Sequence, residues 1–100
     1  MTKSIYIIEL HYTVSTAELD TYLLAHRAYL DESYAKGIFI ASGPQHPRTG
    51  GIILAHNVSK ETLAEIMDND PFMVHKVATY KIIEFNPVKA SEDFKKILGI

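Results

Sequence analysis

Apolar positions along this chain switch between two periods. Residues 4–12 (SIYIIELHY) are β-branched and aromatic and predict a first strand. The Ile7-Ile8 doublet breaks strict alternation, as in a central strand covered on both faces. From Ser15 the period becomes that of a helix. Ser15-Thr16-Ala17-Glu18 has the form of a capping box, with Ser15 as N-cap and Glu18 reaching back. The helix should run to about Lys36, with Gly37 in the left-handed C-cap position. At 100° per residue one stripe holds Leu19, Tyr22, Leu23, His26, Leu30, Ser33 and Tyr34, with Tyr29 at its edge. His26 lies near the centre of that stripe.

Ile38 to Ser42 predicts a second strand, ended by Gly43-Pro44, and Gln45 to Gly50 reads as a polar loop. Gly51 to Ala55 is a third strand. Ser59 should cap a second helix over Lys60 to Asn69, with Leu63, Ile66 and Met67 facing inward. Pro71 disfavours helical geometry at Asp70 and suits the first turn of a new short helix. Ala78 to Phe85 is a fourth strand, broken by Asn86-Pro87. Ser91-Glu92-Asp93 opens a C-terminal helix over about 91–98, whose Phe94, Ile97 and Leu98 need a surface to bury against. The order predicts an α+β, ferredoxin-like βαββαβ fold: a four-stranded antiparallel sheet with helices on one face and an extra terminal helix. The strands carry enough apolar residues for two faces, and the helices cover one. The second face therefore calls for another copy of the chain.

Length and composition narrow the function. One hundred residues, 47% hydrophobic and 22% charged, suit a single domain over 1–100 with a core at 4–88. A net charge of −2 argues against a nucleic-acid phosphate binder. No apolar run approaches a membrane span, and the N-terminus enters a strand pattern without a signal peptide, so the cytoplasm is the expected location. There is no cysteine. His11, His26, His46, His56 and His75 show no i, i+4 pair and form no His/Cys cluster, so no metal site is expected; no GxGxxG and no glycine-rich segment followed by Lys-Ser/Thr is present, so no phosphate loop or other cofactor is expected either.

Two residues stand out as candidate chemistry. His26 is either a core histidine satisfied by a local partner or a general acid–base lining a pocket. Asp70 is either the N-cap of the helix at Pro71 or a carboxylate that orients the imidazole, and a cap held in a fixed direction can do both. Ser42-Gly43-Pro44 and Gly50-Gly51 are turn residues, or points of close backbone approach to a ligand. Arg27 is an exposed charge or a holder of an anionic substrate group.

Taken in order, HRAYLDESYAKGIFIASGP, GGIILA, EIMDNDPF and ATYKIIEFNPV resemble the YciI-like (YCII-related) family from Ser4 to Val88. The resemblance implies a ferredoxin-like α+β barrel, dimeric through its sheets, with a cleft holding a His–Asp pair. By position these are His26 and Asp70, with Ser42 and Gly43 in the pocket-lining segment. Some relatives act on ring-derived small molecules, including by halide elimination. The expectation is a small cofactor-independent lyase or isomerase, with His26 and Asp70 catalytic and Ser42, Gly43 and Arg27 binding a small polar cyclic or carbonyl compound. The alternatives are a non-catalytic dimeric small-molecule-binding or accessory module, whose pocket holds a metabolite without turning it over, and a purely structural domain.

Overall fold

The structure, a computed structural model, describes residues 4–99. In chain order it contains β1 (Ile5–Tyr12), α1 (Thr16–Asp20), α2 (Leu23–Ala35), β2 (Phe39–Pro44), β3 (Gly50–Ala55), α3 (Lys60–Asp68), α4 (Pro71–Val74), β4 (Ala78–Phe85) and α5 (Glu92–Leu98). The strands form one sheet in the order β2-β3-β1-β4, and every neighbouring pair is antiparallel. This is the ferredoxin-like arrangement that the sequence predicts.

Strand alternation sorts the core. Tyr6, Ile8 and Leu10 of β1 point to one face, in register with Ala55, Ile53 and Gly51 of β3. They pack with Leu19, Leu30, Leu63, Met67 and Phe72 from the helical layer. The opposite face carries Ile7, set between Leu54 and Ile83, and Glu9, set between Ile52 and Lys81. Ile7, Ile52, Leu54 and Ile83 are only half-buried. No helix among the described residues is long and apolar enough to cross a membrane.

The helix ends follow their sequence signals. Ser15, Ser59, Asp70 and Ser91 each accept a backbone N–H from the first turn that follows. Gly37 takes φ +73°; its N–H bonds to Tyr34 O and that of Ile38 to Ser33 O, which closes α2 in a Schellman motif.

Two local expectations are corrected, and a third is met in part. The first helix is not continuous: it breaks at Thr21-Tyr22, where N–H groups bond three residues back, to Glu18 and Leu19. Tertiary contacts flank the break on both sides: Tyr22 stacks on His75 at 4.2 Å, and Asp20 pairs with Arg48. β2 continues past Ser42 to Pro44. It is an edge strand, where proline's missing donor leaves no internal ladder bond unmade. In α5, Leu98 is buried and Phe94 half-buried, but Ile97 is 50% exposed. The expectation that all three dock, on their own domain or across a dimer, is thus met for Leu98 and partly for Phe94 within one chain.

Gly50 fixes where the loop of residues 45–50 enters β3. A Cβ there would overlap the Leu10 carbonyl oxygen, in backbone that cannot yield. Gly50→Ala is therefore expected to lower stability by about 1–3 kcal/mol, as overpacking does. The check is a lower urea midpoint at unchanged m-value.

Candidate active site

His26 lies on the inward face of α2 and is 7% exposed. Asp70 ends the segment after α3 and is fully buried. The chain break forced by Pro71 aims the Asp70 side chain back across α2. His26 Nδ1 lies 2.8 Å from both Asp70 Oδ1 and Oδ2. An ionised carboxylate only accepts hydrogen bonds, so Nδ1 carries the proton and donates it. Nε2 is then the nitrogen left for a ligand. The cap reading and the partner reading of Asp70 both hold, because Oδ1 also accepts the Phe72 N–H at 2.9 Å. Phe72 in turn stacks on the imidazole at 3.9 Å with 5° between the planes, and Tyr12 meets Phe72 edge-on at 6.2 Å. The ring of His26 is thus fixed by a carboxylate in its plane and a phenyl on its face.

These groups line a cavity of about 390 Å³ between α2 and the sheet. That volume is in the range of small-molecule sites. Leu10, Leu23, Leu30, Ile53 and Phe72 supply apolar walls. Ser42, Gly43 and Pro44 line it from the edge strand, with Ser42 on the helical side of β2 opposite Ile53. The Ser42 hydroxyl is held by the Tyr34 hydroxyl at 2.6 Å. Arg27 reaches the cavity from α2 and is exposed. All five residues singled out in the sequence, His26, Asp70, Ser42, Gly43 and Arg27, therefore converge. Four line the cavity, and Asp70 stands behind His26.

Burial, the charge of Asp70 and that of Glu32, in that order, raise the pKa of the Tyr29 hydroxyl, which donates to Ile66 O at 2.7 Å. Tyr29 therefore stays neutral beside the dyad. Among the described residues no group of three or more His, Asp or Glu side chains is placed to hold a metal ion.

Tyr12, Asp20 and Arg48, which no sequence motif marks, also line the cavity. Arg48 comes from the loop before β3 and forms a two-pronged ion pair with Asp20 at the end of α1. Its guanidinium also lies 6.0 Å from the centre of the Tyr12 ring. One signal was available: Arg48 is the sole residue of formal charge in Gln45 to Gly50.

The Arg48 hydrogen bond is the main cause that lowers the Asp20 carboxyl from its ordinary pKa of 3.8. A carboxyl depressed in the folded state contributes stability above its ordinary value, and the contribution is lost as pH falls toward the lowered one. Arg48→Gln should return the Asp20 titration toward the ordinary value. The check is the Asp20 carboxyl ¹³C shift followed through acid pH.

The fold is shared with a solved structure, the 5-chloro-2-hydroxyhydroquinone dehydrochlorinase of Burkholderia phenoliruptrix AC1100 in complex with 2,5-dihydroxybenzoquinone. The two superpose with a TM-score of 0.71 over 89% of this chain and 97% of that one, at 17% sequence identity. Among curated proteins the sequence finds no match. The model of the YCII-related domain, however, matches residues 2–86, and over that span lie the sheet, the dyad and the cavity wall: the chain belongs to the YCII-related domain family.

Proposed function

We propose that the protein is a proton-transferring enzyme of lyase or isomerase type, acting on a small polar cyclic or carbonyl compound. The observation that carries this reading is His26 Nδ1 at 2.8 Å from both oxygens of a fully buried Asp70, on the wall of a cavity sized for a small molecule. Nε2 takes a proton from a carbon or hydroxyl of the ligand, and the electron pair left behind moves into an enolate-type system. Asp70 stabilises the imidazolium so formed. The Ser42 hydroxyl and the backbone at Gly43 face the oxygen that gains charge. Return of the proton to another atom gives an isomerase, and departure of a leaving group gives a lyase. The dehydrochlorinase with the same fold removes the elements of hydrogen chloride, which requires a proton transfer of this kind.

The protein is incubated in D₂O with small enolisable carbonyl compounds and hydroxylated rings, 5-chloro-2-hydroxyhydroquinone among them. NMR follows carbon-bound deuterium, and an electrode follows chloride. Wild type should exceed its His26→Asn variant on at least one compound. Equal rates across the panel would reject proton transfer on these compound classes and favour the non-catalytic binding module.

The half-buried face formed by Ile7, Ile52, Leu54 and Ile83 supports a second proposal, that two copies pair sheet to sheet. Sedimentation equilibrium at micromolar concentration should give twice the chain mass of 11.3 kDa. A monomer at all concentrations would contradict it.

A further inference from the structure

We propose that the cavity selects a ligand with an apolar planar body and one anionic oxygen group, and that Arg48 is the residue that reads the anion. This rests on the reading of the cavity as a small-molecule site and adds the charge of the molecule it takes.

The placement of Arg48 is the first observation. Gln45, His46, Pro47 and Thr49 are all exposed, as loop residues usually are. Arg48 alone among them is turned back, half-buried, over the cavity. The loop that carries it is anchored. Gln45 N–H bonds to Gly50 O at 2.8 Å, Thr49 N–H to Pro47 O at 2.8 Å and Tyr12 N–H to Thr49 O at 3.1 Å. The guanidinium is therefore presented from a fixed backbone.

Its contacts are the second observation. Asp20 engages Nη1 and Nη2. A guanidinium has five N–H donors in a planar fork, so donors remain after this pair is made. A half-exposed ion pair adds little to stability, which leaves its orienting effect as its main consequence. The charged side chains lining the cavity are Arg27, Arg48 and Asp20, two cations against one anion in a chain of net charge −2.

The third observation is the order of the groups along one wall. Arg48 lies near the Tyr12 ring, Tyr12 meets Phe72 edge-on, and Phe72 stacks on His26. With Phe72 itself only 1% exposed, the accessible aromatic surface between the guanidinium and the imidazole is the half-buried Tyr12 ring. A planar ring lying along it would present a carboxylate, phenolate or enolate oxygen to Arg48 and its reacting carbon to His26. Binding energy at the charged end would hold the reacting end in place.

Benzoate and benzamide, which match in shape and differ in charge, test this. Each is titrated into ¹⁵N-labelled wild-type protein and into Arg48→Gln and Arg48→Lys variants, and the amide shifts of Gly43, Arg48 and Gly51 are followed. Wild type should bind benzoate about tenfold tighter than benzamide, as one charge-assisted hydrogen bond would provide. Arg48→Gln should erase the preference and Arg48→Lys keep part of it, since lysine retains the charge without the fork. Should Arg48→Gln fail to fold, salt on wild type decides: the preference should shrink as salt rises, because the pair is solvent-accessible. Equal binding of the two compounds, a preference that survives Arg48→Gln, or one indifferent to salt would overturn the assignment and leave the site a neutral small-molecule pocket. Benzoate that shifts no cavity amide overturns it as well. The deuterium-exchange experiment judges the proton-transfer reading separately in every case.

Discussion

His26→Asn should lower turnover roughly 10²- to 10⁴-fold, the usual contribution of a positioned acid–base group, with only a small loss of stability. Asparagine is the informative replacement. Its side-chain NH₂ reaches about as far as Nδ1 and can still donate to Asp70, which is fully buried and accepts from His26 on both oxygens. What it cannot do is take up and return a proton in place of Nε2. The stability loss should come mainly from the stack on Phe72, now at 3.9 Å, and such a contact contributes about 0.5–1.5 kcal/mol. His26→Ala is a poorer test. It strands a buried carboxylate, and breaking a buried pair from one side costs about 3–5 kcal/mol. Its inactivity would therefore mix lost chemistry with lost structure. Turnover by His26→Asn within a few-fold of wild type would remove His26 from the mechanism, whatever the ring's geometry.

Much of the site was legible in the chain because its parts are local. Asp70-Pro71 is at once a helix stop and a helix start, and the structure uses it as both, with Asp70 capping Pro71–Val74. His26 could be placed on an inward face by period alone. An imidazole there needs a partner, since an unpaired polar group is costly inside a fold. Without the family resemblance the sequence does not show that the partner is Asp70, 44 residues away, and not even the resemblance shows that Phe72 covers the ring. Both follow from α4 packing across α2, a tertiary fact. The break at Thr21-Tyr22 escaped notice for a related reason. The apolar stripe runs through it without interruption, while the residues that contact its two sides, His75 and Arg48, lie far along the chain. Arg48 itself sits in a polar loop, where no period assigns a side chain to any face. Pro44 read as a strand end only because the edge position of β2 could not be known.

Asp70 holds two bonds with one carboxylate, and its two simplest replacements should separate them. Oδ1 caps the Phe72 N–H at 2.9 Å while both oxygens accept from the imidazole. In Asp70→Asn the amide oxygen can keep the cap, and asparagine is as good an N-cap as aspartate. The NH₂ group then faces Nδ1. Two donors cannot share that position, so Nδ1 must give up its proton and Nε2 must carry it. The ring is thereby turned into the tautomer that cannot act as a base at Nε2, and turnover should fall roughly 10³-fold or more while the fold persists. Asp70→Ala loses the cap, about 1 kcal/mol, and leaves the Nδ1–H buried without a partner, about 1–3 kcal/mol more. For a chain of this size that should lower the melting temperature by roughly 10–20 °C. Two measurements decide the matter. Long-range ¹H–¹⁵N spectra should show the His26 proton on Nδ1 in wild type and on Nε2 in Asp70→Asn. Thermal melts should place Asp70→Asn near wild type and Asp70→Ala well below it. If Nδ1 keeps its proton in Asp70→Asn, or if that variant turns over as fast as wild type, then Asp70 is a helix cap that happens to touch a histidine, and its carboxylate has no part in setting the tautomer of the base.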